Sequence, residues 1–325
     1  VWKAEADARA PYIPMEPVTK EPRLYTDYTS NIFIGNDLYS LKRGHLNTPT
    51  LVRIDPDGEH RVSAFASQTG KLKSHGNRLY WSEGMPDERW TMQAHSKIRF
   101  SKGRIDGGRQ VWSGEKTLKV QDGGERLLYN PAPSPDGKKV ACAEYFVKGG
   151  SALTVVDASD GHVLRSIKAA DGMQVVETAW IGEEIYFSAI TDGGYGIYKV
   201  TAEGFGTVLA AQPVMLKDFG SYDGELVFTC DRTGVNELYH LDTQTSRLIR
   251  KTSIRHGGES FAYSPDGKWL YFSSQTVNGK HVFRTRTSDL LDEEADFTQR
   301  HEYLLAEALT AQERAAGAME RTVCP

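Results

Sequence analysis

The sequence predicts an all-β chain, a six-bladed β-propeller of four-stranded antiparallel blades with a short C-terminal helix. Three observations carry that expectation. The turn Ser134-Pro135-Asp136-Gly137-Lys138 recurs as Ser264-Pro265-Asp266-Gly267-Lys268, with a reduced copy at Ser221-Tyr222-Asp223-Gly224. Each is followed by a short apolar strand: Val140-Ala141-Cys142, Leu270-Tyr271-Phe272 and Leu226-Val227-Phe228. Leu79 and Ile185 begin two more strands of this type. Successive starts at Leu79, Val140, Ile185, Leu226 and Leu270 are spaced by about 61, 45, 41 and 44 residues, the period of one four-stranded blade.

The turn has a physical logic. Proline presets φ, aspartate bonds its own backbone, and glycine takes the φ > 0 position, so Pro-Asp-Gly between apolar runs marks a hairpin. A further strand follows in each copy, as in Ala152 to Asp157, Gly196 to Val200 and Glu237 to Asp242. A polar turn such as Ala158-Ser159-Asp160-Gly161 or Thr243-Gln244-Thr245-Ser246 then leads to the next strand. Asp55-Pro56-Asp57-Gly58 marks another copy near the start. The blades fall at residues 30–66, 70–114, 118–168, 172–210, 213–252 and 256–290. A blade cannot bury both of its faces alone, so neighbours must stack and the ring must close.

The last blade shows no fourth strand after His281-Val282-Phe283-Arg284, and Arg23-Leu24-Tyr25-Thr26 is the stretch available to supply it. The organisation expected is an N-terminal extension (1–28) that closes the ring, the propeller (29–298), and a C-terminal helix or linker (299–325). Residues from Glu302 to Met319 are rich in helix formers, with a modest apolar face. Packing on the ring and linking to a further domain are both open for that helix.

Composition narrows the function. Lys and Arg number 39 against 43 Asp and Glu, a net charge of −4, which leaves no basic footprint for nucleic acid. No apolar run approaches the roughly 18 residues of a membrane helix. The chain starts at Val1 without a leader, which points to a removed signal peptide and to an excerpt of something longer. Of three cysteines, Cys142 and Cys230 lie in apolar runs and read as buried thiols, and Cys324 is near the end; no disulfide framework is expected.

The run Phe228-Thr229-Cys230-Asp231-Arg232-Thr233-Gly234-Val235-Asn236-Glu237-Leu238-Tyr239, together with the two Ser-Pro-Asp-Gly-Lys turns, resembles the repeat of TolB-like propellers. The likeness covers residues 118–290 well and 30–114 in outline. Blades 1, 2 and 4 lack the full turn. The resemblance implies a bacterial, export-linked protein, periplasmic or associated with the cell envelope. It also allows a gating domain of a prolyl oligopeptidase-like peptidase.

Catalytic motifs are missing from the sequence. There is no Gly-x-Ser-x-Gly, no P-loop, and Leu305 stands where a His301-Glu302-x-x-His pair would need its second histidine. Asp157 and Asp160 lack the further oxygens of a calcium loop and read as a capped hairpin. The glycine-rich stretch Asp192-Gly193-Gly194-Tyr195-Gly196 reads as a hairpin tip. His45, His75, His95 and His256 are scattered, with convergence near one rim the only route to a metal site. No cofactor is expected. Trp81, Phe187, Phe228 and Phe272 occupy equivalent strand positions and are expected in the core, as are Trp180 and Phe261.

The strongest candidate surface is the insertion from Glu83 to His95, which joins the two inner strands of blade 2 and carries Arg89 and Trp90, residue types enriched in interface hot spots. With it go the loops at Tyr145-Phe146, Tyr195 and Asp231-Arg232. The binding residues expected are thus Arg89, Trp90, Tyr145, Tyr195, Asp231 and Arg232. The function expected is a non-catalytic recognition or scaffold module, monomeric or part of a longer chain, that takes a protein or peptide, or a glycan, at its rim. The alternative is a regulatory peptidase propeller, or a propeller hydrolase or lyase with a rim or channel site.

Overall fold

A computed structural model describes residues 9–45, 47–86, 94–106, 109–120, 126–297 and 304–317. They form six consecutive antiparallel four-stranded sheets around a central channel, the predicted propeller. Blade 1 runs through Thr26–Ile34, Asp37–Gly44, Asn47–Asp55 and Gly58–Ala64. Blade 2 comprises Lys73–His75, Arg78–Pro86, Ala94–Asp106 and Arg109–Thr117. Blade 3 follows with Leu127–Pro133, Lys139–Tyr145, Ser151–Asp157 and Val163–Lys168. Gln174–Ile181, Glu184–Thr191, Gly194–Val200 and Phe205–Gln212 make blade 4. Blade 5 is built from Leu216–Tyr222, Glu225–Cys230, Glu237–Leu241 and Leu248–Arg250. Blade 6 has Glu259–Tyr263, Trp269–Thr276 and Gly279–Arg286.

The fourth strand of blade 6 is Glu16–Pro17, which pairs with Arg284 and Phe283. Residues 23–26 do not close the ring: Leu24 and Tyr25 are exposed, and Thr26 already begins blade 1. The choice is physical. Proline lacks an N–H, so Pro17 suits an outer edge strand, where one face of its backbone has nothing to pair with. Closure is reinforced nearby by Ile13, which is buried and donates its backbone N–H to the Ser253 carbonyl (2.9 Å).

The core is distributed as the ring requires, in six apolar clusters that each span two neighbouring blades. Phe65, Trp81 and Leu41 join blades 1 and 2. Tyr80, Val140 and Val156 join 2 and 3. Leu153, Phe187 and Tyr198 join 3 and 4. Tyr186, Phe219 and Phe228 join 4 and 5. Leu238, Ile254 and Phe272 join 5 and 6, and Val282 meets Tyr28 and Val52 between 6 and 1. Trp81, Phe187, Phe228 and Phe272 are fully buried, as their strand positions predict. Burying such a side chain stabilises by roughly 1.5–3 kcal/mol, so blade stacking dominates the fold.

The two full turns are built alike. Ser134 Oγ donates to Asp136 Oδ1 (2.7 Å) and accepts from Lys139 N; Ser264, Asp266 and Trp269 repeat the pattern. Gly137 and Gly267 sit at φ +69° and +68°. Gly137 is required twice over, because a Cβ there would lie 2.6 Å from the His75 ring. The Asp157 turn is likewise a capped hairpin, with Asp157 Oδ1 accepting from Ser159 N (2.8 Å) and Asp160 Oδ1 from His162 N (2.8 Å).

Beyond blade 6 the chain returns to blade 5. Glu293–Glu294 pair with Arg250 and Ile249 as a fifth strand, held by Arg247–Asp292 (3.4 Å), Lys251–Asp292 (3.0 Å) and Arg250–Glu293 (2.5 Å) ion pairs. Phe297 then buries against Tyr239. The helix spans Leu304–Ala315 with Leu305 and Leu309 exposed. Among the described residues no helix is long and apolar enough to cross a membrane.

Candidate functional site at the channel mouth

In an up-and-down blade, alternate turns fall on opposite rims. Turns between first and second strands, including both Ser-Pro-Asp-Gly turns, share one rim. Turns between second and third strands share the other, and among the described residues this second rim carries Tyr145, Tyr195, Asp231 and Arg232.

Arg89 and Trp90 lie outside the described residues. What is described there corrects the extent of the loop: Glu83, Gly84, Met85 and Pro86 are strand, paired with Lys97, Ser96, His95 and Ala94. Residues 83–86 and 94–97 are thus paired strand, and residues 87–93 lie outside the described residues. Tyr145, Tyr195 and Asp231 stand on this rim over blades 3, 4 and 5. The Tyr145 hydroxyl donates to the Val175 carbonyl (2.8 Å), and its ring lies 5.2 Å from that of Tyr129. Burial raises the pKa of Tyr145 and of Tyr195, and the Glu177 carboxylate adds to both shifts. Lys71 and Asp231 also act on Tyr195, so these side chains share one electrostatic neighbourhood. Asp231 Oδ1 accepts from Met215 N (2.8 Å). Arg232 is drawn elsewhere: its guanidinium stacks over Phe297 at 4.8 Å, on the C-terminal strap.

Below the rim lies a network that the sequence reading missed. Lys71 Nζ donates to Glu177 Oε1 (2.6 Å) and pairs with Asp218 Oδ1 (2.9 Å), tying blade 2 to blades 4 and 5 across the channel. Glu177 Oε2 accepts from Phe219 N (3.0 Å), and Asp218 Oδ2 from Ser260 N (2.8 Å). Burial opposes the charge on Lys71, but Asp218 and Glu177 outweigh it and hold its pKa above the ordinary value. Asp218 is likewise kept below the usual carboxylate range, against burial, by Lys71 and the Ser260 N–H. Lys73 donates to the Phe219 carbonyl (2.6 Å).

These contacts belong to a repeated device. Ser30, Asn130, Asp218 and Ser260 each sit in the left-handed region (φ 50° to 56°) at a bulge in the innermost strand of blades 1, 3, 5 and 6. A non-glycine residue there is held against its preference, and the surroundings supply the reason. Ser260 Oγ accepts from Ser30 N (3.0 Å), Ser30 Oγ from Leu72 N (3.2 Å), and Asn130 Nδ2 donates to the Val176 carbonyl (2.8 Å). With Glu177 and Asp218, they bracket one blade to the next around the channel. Blades 2 and 3 are joined differently, by a parallel pair at Leu127 and Ser96 and by Ser96 Oγ donating to the Leu128 carbonyl (2.7 Å).

At the opposite end, Tyr263 and Trp180 line the channel. Trp180 is buried, with Nε1 donating to the Ala132 carbonyl (3.0 Å), whereas Phe261 is partly buried and packs on Phe272 at 5.4 Å. Glu225 can only accept, so His240 carries its proton on Nδ1 (2.7 Å to Oε2) and its Nε2 accepts from the Tyr263 hydroxyl (2.8 Å). Burial lowers the His240 pKa, with Glu225 opposing, and the imidazole is neutral.

Of the four scattered histidines, the three whose side chains are described do not converge, and the side chain of His95 lies outside the described residues. His45 lies against Tyr25, His75 in the channel and His256 in a groove beside blade 6. Among the described residues no three His, Cys, Asp or Glu side chains form a metal-binding group. A charge in the middle of an apolar innermost strand, as in Val175-Val176-Glu177-Thr178-Ala179-Trp180, was the available signal for the channel network.

No family model matches the chain. No curated protein matches it in sequence. Solved structures do. The β-propeller domain of the Trilobed protease from Pyrococcus furiosus is 10% identical at TM-score 0.50, covering 85% of this chain and 99% of that one. A putative TolB from Agrobacterium tumefaciens is 16% identical at TM-score 0.50, covering 67% and 73%. TolB from Acinetobacter baumannii is 14% identical at TM-score 0.47; 76% of this chain is covered, and it spans 61% of the length of that protein. At these identities the likeness is one of fold: the chain is a β-propeller with TolB proteins and a protease propeller domain among its structural neighbours.

Proposed function

We propose that this chain is a non-catalytic recognition module, and that its partner, a protein or peptide, meets the rim carrying Arg89, Trp90, Tyr145, Tyr195 and Asp231. One observation carries the reading. At the channel mouth, Lys71, Glu177 and Asp218 are committed to each other and to backbone N–H groups, so neither of these two carboxylates is placed to act as a general base. What remains for a partner is half-buried tyrosine and polar surface on a rigid ring, which suits recognition. The periplasm or envelope of a bacterium, implied by the Ser-Pro-Asp-Gly resemblance, is the location proposed with it.

The test compares partner capture from a bacterial envelope extract by the intact chain, an Arg89→Ala/Trp90→Ala double variant and Tyr195→Ala. Both variants should lose at least about tenfold in capture of the same partner, with Tm moving by less than about 2 °C. Unchanged capture, or a collapse of Tm, defeats the reading. Turnover of a peptide, ester or glycoside by the purified chain would replace it with the enzymatic alternative.

A further inference from the structure

The channel contains a cation that the bracket network leaves uncommitted. Lys71 is held between two carboxylates, whereas Lys73, two residues along the same strand direction, has the Phe219 carbonyl as its one hydrogen-bond partner among the described residues. An ammonium carries three N–H donors, so two remain for a group in the channel. Lys73 lines a cavity of about 510 Å³, within the size range of small-molecule sites. Trp180, Phe261 and Tyr263 supply aromatic wall to that cavity, and Ser74 and Ser221 supply polar wall. Gly220 lies beside the amine, where a Cβ would stand 3.7 Å from Lys73 Nζ, an ordinary contact distance.

We propose that this cavity binds a small organic monocarboxylate, its carboxylate paired with Lys73 and its apolar body against Trp180, Phe261 and Tyr263. A single negative charge fits best. Asp218 lines the same space and Glu177 shares Lys71 with it, so a dianion such as phosphate meets repulsion that a monoanion meets only once. Burial lowers the pKa of Lys73, and an anion in contact offsets that burial by favouring the charged amine. The site lies inside the ring and is independent of the rim reading.

Benzoate and its neutral isostere benzamide separate charge from shape. In isothermal titration of the whole chain, benzoate should bind with a Kd of about 1 mM or tighter, with benzamide and inorganic phosphate at least tenfold weaker. Lys73→Met should lose at least tenfold in benzoate affinity, the size of one charge-assisted hydrogen bond, and Lys73→Arg should retain binding. Lys73→Gln, which keeps a polar side chain but no charge, should weaken benzoate about as much as Lys73→Met and gives an independent reading if Lys73→Met fails to fold. No binding up to about 10 mM benzoate, equal affinity for benzamide, or unchanged affinity in a folded Lys73→Met overturns the proposal.

Discussion

The two ends of the channel keep buried polar groups satisfied in opposite ways. At the mouth, one ammonium is shared by two carboxylates, and each carboxylate also takes a backbone N–H from the next blade. At the far end, Glu225, His240 and Tyr263 form a hydrogen-bonded chain around a neutral imidazole. The first arrangement depends on charge and spans three blades; the second depends on a tautomer and joins two. A buried ion triad is intolerant of losing a member, because the survivors keep their desolvation cost. A neutral chain loses only a hydrogen bond. The mouth, where partner recognition is proposed, is therefore the end that loses more when one member is removed.

Removing the shared cation should have the largest effect. Lys71→Met leaves Glu177 and Asp218 facing each other, both with side chains largely withdrawn from water. Breaking a fully buried pair costs about 3–5 kcal/mol; the Lys71 side chain is 38% exposed, so screening should bring the loss to about 3 kcal/mol in urea unfolding. A loss below about 1 kcal/mol would mean that the mouth is not held by its charges.

The pH dependence should divide the two ends. The pKa of His240 is depressed in the folded state, so its contribution is full above the unfolded value of about 6.5 and declines as pH falls below it. Asp218 is depressed as well, but its unfolded value is about 3.9, so its contribution persists until much stronger acid. Going down from pH 8, His240 and then Asp218 each lose stability, while Glu237, pushed up to about 7 by burial, gains it over part of the same range, so the His240 stage is read as the difference between the intact chain and a His240 variant. His240→Gln should remove the stage that begins near pH 6.5 and leave the lower one. Identical pH profiles for the intact chain and that variant below about pH 6.5 would show that the far end does not titrate as a unit.

What was legible in the sequence follows the same division between local and distant physics. The blades could be read because Ser134, Asp136 and Gly137 settle their turn within five residues, and Ser264, Asp266 and Gly267 repeat it. The buried aromatics followed, since Trp81, Phe187, Phe228 and Phe272 share a position within that repeat. The rim residues Tyr145, Tyr195 and Asp231 could be placed on one side because turn order alone decides the rim. Ring closure was misread, because Glu16–Pro17 is a two-residue strand with no periodicity to detect. Lys71, Glu177 and Asp218 stayed hidden for a different reason. They are more than forty residues apart in every pairing, and only the closed ring makes them neighbours.

The smallest effect should come from the Tyr263 hydroxyl. Tyr263→Phe removes the donor to His240 Nε2 while keeping the ring, which stacks on Tyr222 at 3.7 Å between centroids. His240 then retains Glu225 on Nδ1, so one buried acceptor is left unpaired and the cost should be about 1 kcal/mol in the same urea titration. The change also sharpens the pH argument. With no hydroxyl donating to it, Nε2 is freer to take up a proton, so the folded pKa rises toward the unfolded value and the decline below about pH 6.5 should shrink in this variant. A decline of unchanged size would mean that the Tyr263 hydroxyl does not hold Nε2 in its unprotonated form.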